Sequence, residues 1–61
     1  MEEFVTVSEV SEMAGVRPAT VRRWISRGIL PAMKVGRVWL ILRMDAESIA
    51  MSLRVSRENE R

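Results

Sequence analysis

Sixty-one residues with 48% hydrophobic content and a formal net charge of +2 describe one small domain, long enough for a single core and too apolar for wholesale disorder. With no Cys and no His, the chain has no disulfide, no thiolate or imidazole metal ligand and no neutral-pH proton shuttle. No apolar run approaches the roughly 20 residues of a membrane span, and the start MEEFVTVSEV lacks the basic residues of a secretory signal, so a cytoplasmic protein is expected.

The first element is marked by Thr6 and Glu9, which have the spacing of a capping box with Thr6 as N-cap. Val7, Val10 and Ala14 recur at helical spacing with Met13 beside them, while Ser8, Glu9 and Glu12 fall on the other face. Gly15 supplies the stop, which predicts a helix over 7–14. Pro18 suits the first turn of a second helix, where its missing N–H would be unpaired anyway. Val21, Trp24 and Ile25 form the apolar stripe of that helix, Gly28 ends it and Pro31 prevents its resumption, which predicts 18–27. Only Gly15, Val16 and Arg17 separate the two, a helix-turn-helix connection.

AMKVGRVWLIL then reads as a hairpin, with strands over 32–35 and 38–41. Its turn, Gly36-Arg37, opens on glycine as type II′ requires. Ala46, Ile49, Ala50 and Leu53 make a last helical stripe over 44–54, and the remaining polar residues are expected to fray. The domain is therefore 1–54 and the tail 55–61. Helix, turn, helix, hairpin, helix is the order of a winged helix-turn-helix, mainly α with a small β-hairpin.

The net charge conceals an asymmetry. Glu2, Glu3, Glu9 and Glu12 precede the middle of the chain, and Asp45, Glu47, Glu58 and Glu60 follow it. Between Glu12 and Asp45 there is no acid, while Arg17 to Arg43 holds seven basic residues. Such a distribution points to a polyanionic partner more strongly than the net charge does. On the second helix Ala19, Arg22, Arg23, Ser26 and Arg27 lie away from the apolar stripe. Arginine forks onto guanine O6 and N7 or onto phosphate oxygens, Ala19 permits close approach, and a helix about 10 Å across fits a major groove roughly 12 Å wide. The plain alternative is a solvated arginine face. Lys34 and Arg37, near the hairpin tip, are placed to reach a minor groove or phosphates, where the plain alternative is a polar turn that keeps the hairpin soluble. Trp24 is assigned to the core rather than to base stacking, and Trp39 to packing on the helices. An enzyme is not expected: no paired carboxylates stand out, Asp45 and Glu47 complement a helix dipole, and no glycine loop cradles phosphate. No catalytic residue, metal or cofactor is assigned.

FVTVSEVSEMAGVRPATVRRWISRGILPAMKVGR resembles the excisionase-type DNA-binding domains, relatives of the MerR-type winged helix-turn-helix. The resemblance is carried by T-V-S-E-V at the start of the first helix, G-V before the turn, T-V-R-R-W in the second helix, G-I-L-P-A after it and V-G-R at the wing, and spans about Phe4 to Leu53. It implies that the second helix enters the major groove of double-stranded DNA and that the wing contacts the minor groove or backbone. Thr20, Arg22 and Arg23 would then be groove residues, with Lys34 and Arg37 on the wing. It further implies a recombination directionality factor, which bends or coats phage-type attachment-site DNA and steers a separate integrase toward excision. MerR-type regulators usually append a dimerisation helix and an effector domain. Since the chain stops at Arg61, an architectural role is expected ahead of the alternative, a small MerR-like transcriptional regulator. A second alternative is a protein-interaction module that uses the apolar hairpin.

Two positions depart from that pattern. Arg17 stands where the family often has Ser, losing an N-cap worth about 1 kcal/mol but gaining a side chain that reaches for phosphate. V-W-L-I-L replaces a usual basic and aromatic alternation in the second strand. Val38, Leu40 and Leu42 should share one face of that strand, with Trp39 and Ile41 on the other. Because only one face of a hairpin can pack on the helices, Val38, Leu40 and Leu42 are candidates for self-association beside an open strand edge. The alternative is that Leu40 folds back onto the last helix near Ile49 and Leu53.

Overall fold

The computed structural model describes residues 3–59. In chain order they form β1 (Phe4–Val5), α1 (Val7–Ala14), α2 (Pro18–Ser26), β2 (Met33–Val35), β3 (Val38–Leu42) and α3 (Arg43–Asn59). The order is that of a winged helix-turn-helix, with an additional strand at its N-terminal end.

Local chemistry sets the ends of α1. Thr6 Oγ1 accepts from Glu9 N at 3.2 Å, and Glu9 Oε1 accepts from Thr6 N at 2.9 Å, so both halves of the capping box are made. At the other end Gly15 is left-handed, with φ of 69°, and its N–H donates to the Ser11 carbonyl. No side chain caps α2, because Arg17 stands at its N-cap; the Arg17 carbonyl still accepts from Thr20 N and Val21 N to begin the helix. The helix stops at Ser26, one residue short of the expected end, with Arg27 as its C-cap. Gly28 follows at φ of 75°, and the Trp24 carbonyl accepts from both Ile29 N and Leu30 N. That turn leaves Ile29 in solvent and drives Leu30 into the core, a burial worth about 1.5–3 kcal/mol.

The strands form one antiparallel sheet in the order β1-β3-β2. Opposite pairs are Phe4 with Leu42 and Val5 with Ile41 on one side of β3. On its other side the pairs are Met33 with Leu40, Lys34 with Trp39 and Val35 with Val38. Arg43 N donates to the Glu3 carbonyl at 2.8 Å and prolongs the β1 ladder. At the hairpin tip Gly36 has φ of 63° and Arg37 does not have a positive φ, the combination of a type II′ turn rather than type I′.

Three expectations need correcting. The sheet is not a lone hairpin: β1 covers one edge of β3, leaving β2 as the open edge. The strands are offset from their expected bounds by a residue, 33–35 and 38–42. The last helix begins at Arg43 and runs to Asn59, past the expected 54, because the chain holds no Gly or Pro after Gly36 and nothing breaks it.

Val5, Val10, Val21, Leu30, Ile41 and Ala46 form the core, drawn from every element except β2 and from the loop after α2. Val7, Met13, Val16, Trp24, Ile25, Ala32, Trp39 and Ile49 pack around it. Ser11 is buried with the core, its hydroxyl donating to the Ser8 carbonyl. No helix among the described residues is long and apolar enough to cross a membrane.

Candidate nucleic-acid interface

Helix α2 presents its residues by angle. Taking Val21, which is fully buried, as the inward direction, Ile25 and Trp24 stand within about 60° of it at 100° per residue. Ala19, Ser26 and Arg23 stand about 140–200° away and form the outermost strip. Arg22 sits on one flank, about 100° from Val21, and Thr20 on the other. The structure agrees: Ala19, Arg22, Arg23 and Ser26 are exposed and Thr20 is half-buried. Arg17 and Arg27, also exposed, bracket the helix at its two ends.

Among the described residues, the guanidinium groups of Arg17, Arg22, Arg23, Arg27 and Arg37 have neither an acidic partner nor a hydrogen bond. Surface arginines commonly find a carboxylate within the same domain. Here Glu9, one of the acids nearest this side in sequence, is occupied with its own helix cap. An external anion is the natural counter-charge for the set.

Lys34 and Arg37 part company on the wing. Arg37 occupies the turn itself and is exposed. Lys34 lies one pair back from the turn, opposite Trp39, with its Nζ 5.6 Å from the centre of the Trp39 ring. Its stem thus covers Trp39, whose ring packs on the core as expected. Trp24 packs there too.

Arg22 and Arg37 come together. They line one open cleft of about 180 Å³ between α2, the wing and the start of α1, where Thr6, Ser8 and Trp39 complete the walls. Among the described residues, no acidic side chain lines it. The sequence offered no sign of the part played by Thr6 and Ser8, which read only as a cap and a solvated face.

The outer side of the sheet is a different surface. Side chains directly opposite across an antiparallel pair share a face, so Phe4 and Leu42, Met33 and Leu40, and Val35 and Val38 all point away from the core. Met33, Val35, Val38 and Leu42 are each about half exposed, at 45–53%. Leu40 is partly buried on this face. Phe4, Met33, Leu40 and Leu42 line a shallow groove of about 290 Å³, with Asp45 at its rim. The sequence identified Val38, Leu40 and Leu42 as one face, but not the strands that double it.

A family model described as a helix-turn-helix domain matches residues 4–45. No curated protein and no solved structure matches the chain.

Proposed function

The chain belongs to the helix-turn-helix domain family, whose second helix docks on double-stranded DNA, and on that premise we propose that it is an excisionase-type accessory factor. In this reading α2 lies in the major groove of attachment-site DNA, with Arg23, Ala19 and Ser26 toward the base edges and Thr20 at the margin. Arg17, Arg27, Arg37 and Lys34 hold the backbone on either side. The bound protein deforms the DNA and steers a separate integrase toward excision, in the cytoplasm where the DNA is. The observation that carries the DNA-binding part is the set of five arginines on α2 and the wing with no counter-charge among the described residues. The excision role rests on the resemblance of Phe4 to Leu53 to that family.

With about five phosphate contacts, raising salt from 50 to 200 mM should weaken duplex binding roughly 10²–10³-fold, as read by fluorescence anisotropy. A salt-insensitive affinity would sink the reading. The role itself is tested by adding the protein to an integrase and its attachment-site substrates: excision should rise and integration fall. Tight, specific DNA binding with no effect on either reaction would instead mark a transcriptional regulator.

The outer sheet face adds self-association on DNA to the proposal. The ten residues of the three strands, at about 3.3 Å each and with strands about 4.8 Å apart, give a footprint on the order of 160 Å². A stable dimer buries about 800 Å² per partner, so this face is too small to hold two copies together in free solution. Copies bound at adjacent sites are already concentrated by the DNA, and there a small uncharged contact suffices.

A further inference from the structure

We infer that Arg22 and Arg37 grip one and the same DNA phosphate in the cleft between α2 and the wing. The inference rests on the DNA-binding reading and assigns Arg22 a different task from Arg23, its neighbour in the chain.

The argument begins with the angle. Residues about 180° from the buried stripe of a groove-bound helix meet base edges, whereas residues on its flank meet the walls of the groove, which are sugar and phosphate. Arg23 is in the first position and Arg22 in the second. The flank that Arg22 occupies is the one facing the wing, since Arg22 lines the cleft with Val38 and Trp39. Arg37 enters the same cleft from the turn of the hairpin, whose backbone is set by Gly36.

Two guanidinium groups lining one cleft repel unless an anion lies between them. Among the described residues no carboxylate of the cleft wall supplies it, and Glu9 is turned back on the Thr6 N–H. A phosphodiester fits the requirement. It carries one negative charge and two non-bridging oxygens, so each guanidinium has an oxygen to donate to. Ser8, exposed on the α1 side of the cleft, adds a hydroxyl within the same walls. A nucleobase fits less well, because the cleft opens beside the helix and not along its outermost strip. Helix and wing thereby share a single fixed point on the backbone, which sets the register of α2 in the groove without reading any base.

The test uses a duplex selected by the full-length protein from a random pool, with each phosphate in turn replaced by an uncharged methylphosphonate. The wild-type chain should lose about tenfold or more at the gripped phosphate. Arg22→Ala and Arg37→Ala should each show a reduced penalty at that same position, and the double variant none. Arg23→Ala should keep the full penalty. Both side chains are exposed, so alanine removes the contact and leaves the core intact. Arg22→Ala should also weaken selected and random duplexes by the same factor. If the two variants abolish penalties at two different phosphates, or if Arg22→Ala loses discrimination between duplexes, the shared grip is overturned while DNA binding stands. Absence of salt-sensitive duplex binding would instead remove the DNA-binding reading, and the grip with it.

Discussion

Helix α2 and the three-stranded sheet both turn an inner face to the same core, with Val21 and Trp24 on one and Val5, Trp39 and Ile41 on the other. Their outer faces have opposite chemistry. That of α2 is Ala19, Arg22, Arg23 and Ser26, with Arg17 and Arg27 at its ends. That of the sheet is Phe4, Met33, Val35, Val38, Leu40 and Leu42, with no charge among them. A strip of arginine keeps its hydration until a polyanion replaces it, and the release of counterions from DNA then drives association. An apolar sheet face has no such reason to stay wet. The difference teaches that the domain has two chemically distinct surfaces: the charged one matches DNA, and the neutral one requires a separate account. On the sheet, charge is confined to the open edge and the tip, Lys34 and Arg37.

The comparison breaks most severely if the inner faces are attacked. Trp24→Ala should cost about 3–5 kcal/mol, enough to unfold a domain this small, and chemical denaturation would show it. A variant that stays folded and loses only DNA binding would move Trp24 from the inner face to the outer one. On the outer strip of α2, Arg23→Ala should leave stability unchanged and reduce discrimination between selected and random duplexes by about 1–3 kcal/mol. Equal weakening on both duplexes would make Arg23 a backbone contact instead.

Arg17→Ser sharpens the contrast between charge and fold at a single position. The hydroxyl restores an N-cap to α2 and should raise stability by about 1 kcal/mol, while the lost charge lowers duplex affinity and flattens its salt dependence by about one phosphate. A rise in stability without a fall in affinity would detach Arg17 from the DNA. The smallest direct effect belongs to the sheet. Leu40→Lys should leave the domain folded, since the side chain is only partly buried on a face away from the core and its longer replacement can reach solvent. It should bind a single site normally and lose its cooperativity on tandem sites. Cooperative binding that survives in the folded variant would show that the sheet face is not the joint, and unfolding would show that Leu40 belongs to the core.

How much of this was legible in the sequence varies with how local the signal is. The bounds of α1 could be read to the residue, because Thr6, Glu9 and Gly15 act within one turn of the backbone they terminate. β1 could not, since two residues carry no periodicity. Its one trace is Val5 just before the N-cap with Val10 four residues into the helix, the spacing of a hydrophobic staple, and both are buried in the core. The end of α3 is not legible, because its polar composition suggests fraying while no helix breaker is present. On α2, the division between Val21, Trp24, Ile25 and the arginines followed from helical spacing. The division between Arg22 and Arg23 acquires meaning only once the wing is seen beside one of them. Likewise the outer sheet face was half legible, through Val38, Leu40 and Leu42, because its other half comes from partners at non-local positions.

The pairing of Phe4 with Leu42 has a practical corollary for anyone labelling the protein. A fluorophore or affinity tag joined on the N-terminal side of Phe4 through Glu3 and the two residues before it is tethered by at most about 10 Å of chain to the groove that Phe4 lines. A bulky fusion there would shade the neutral face and could pass for a protein that does not associate. Attached beyond Asn59, at the far end of a helix about 25 Å long that starts where the sheet stops, the same label would leave that face clear.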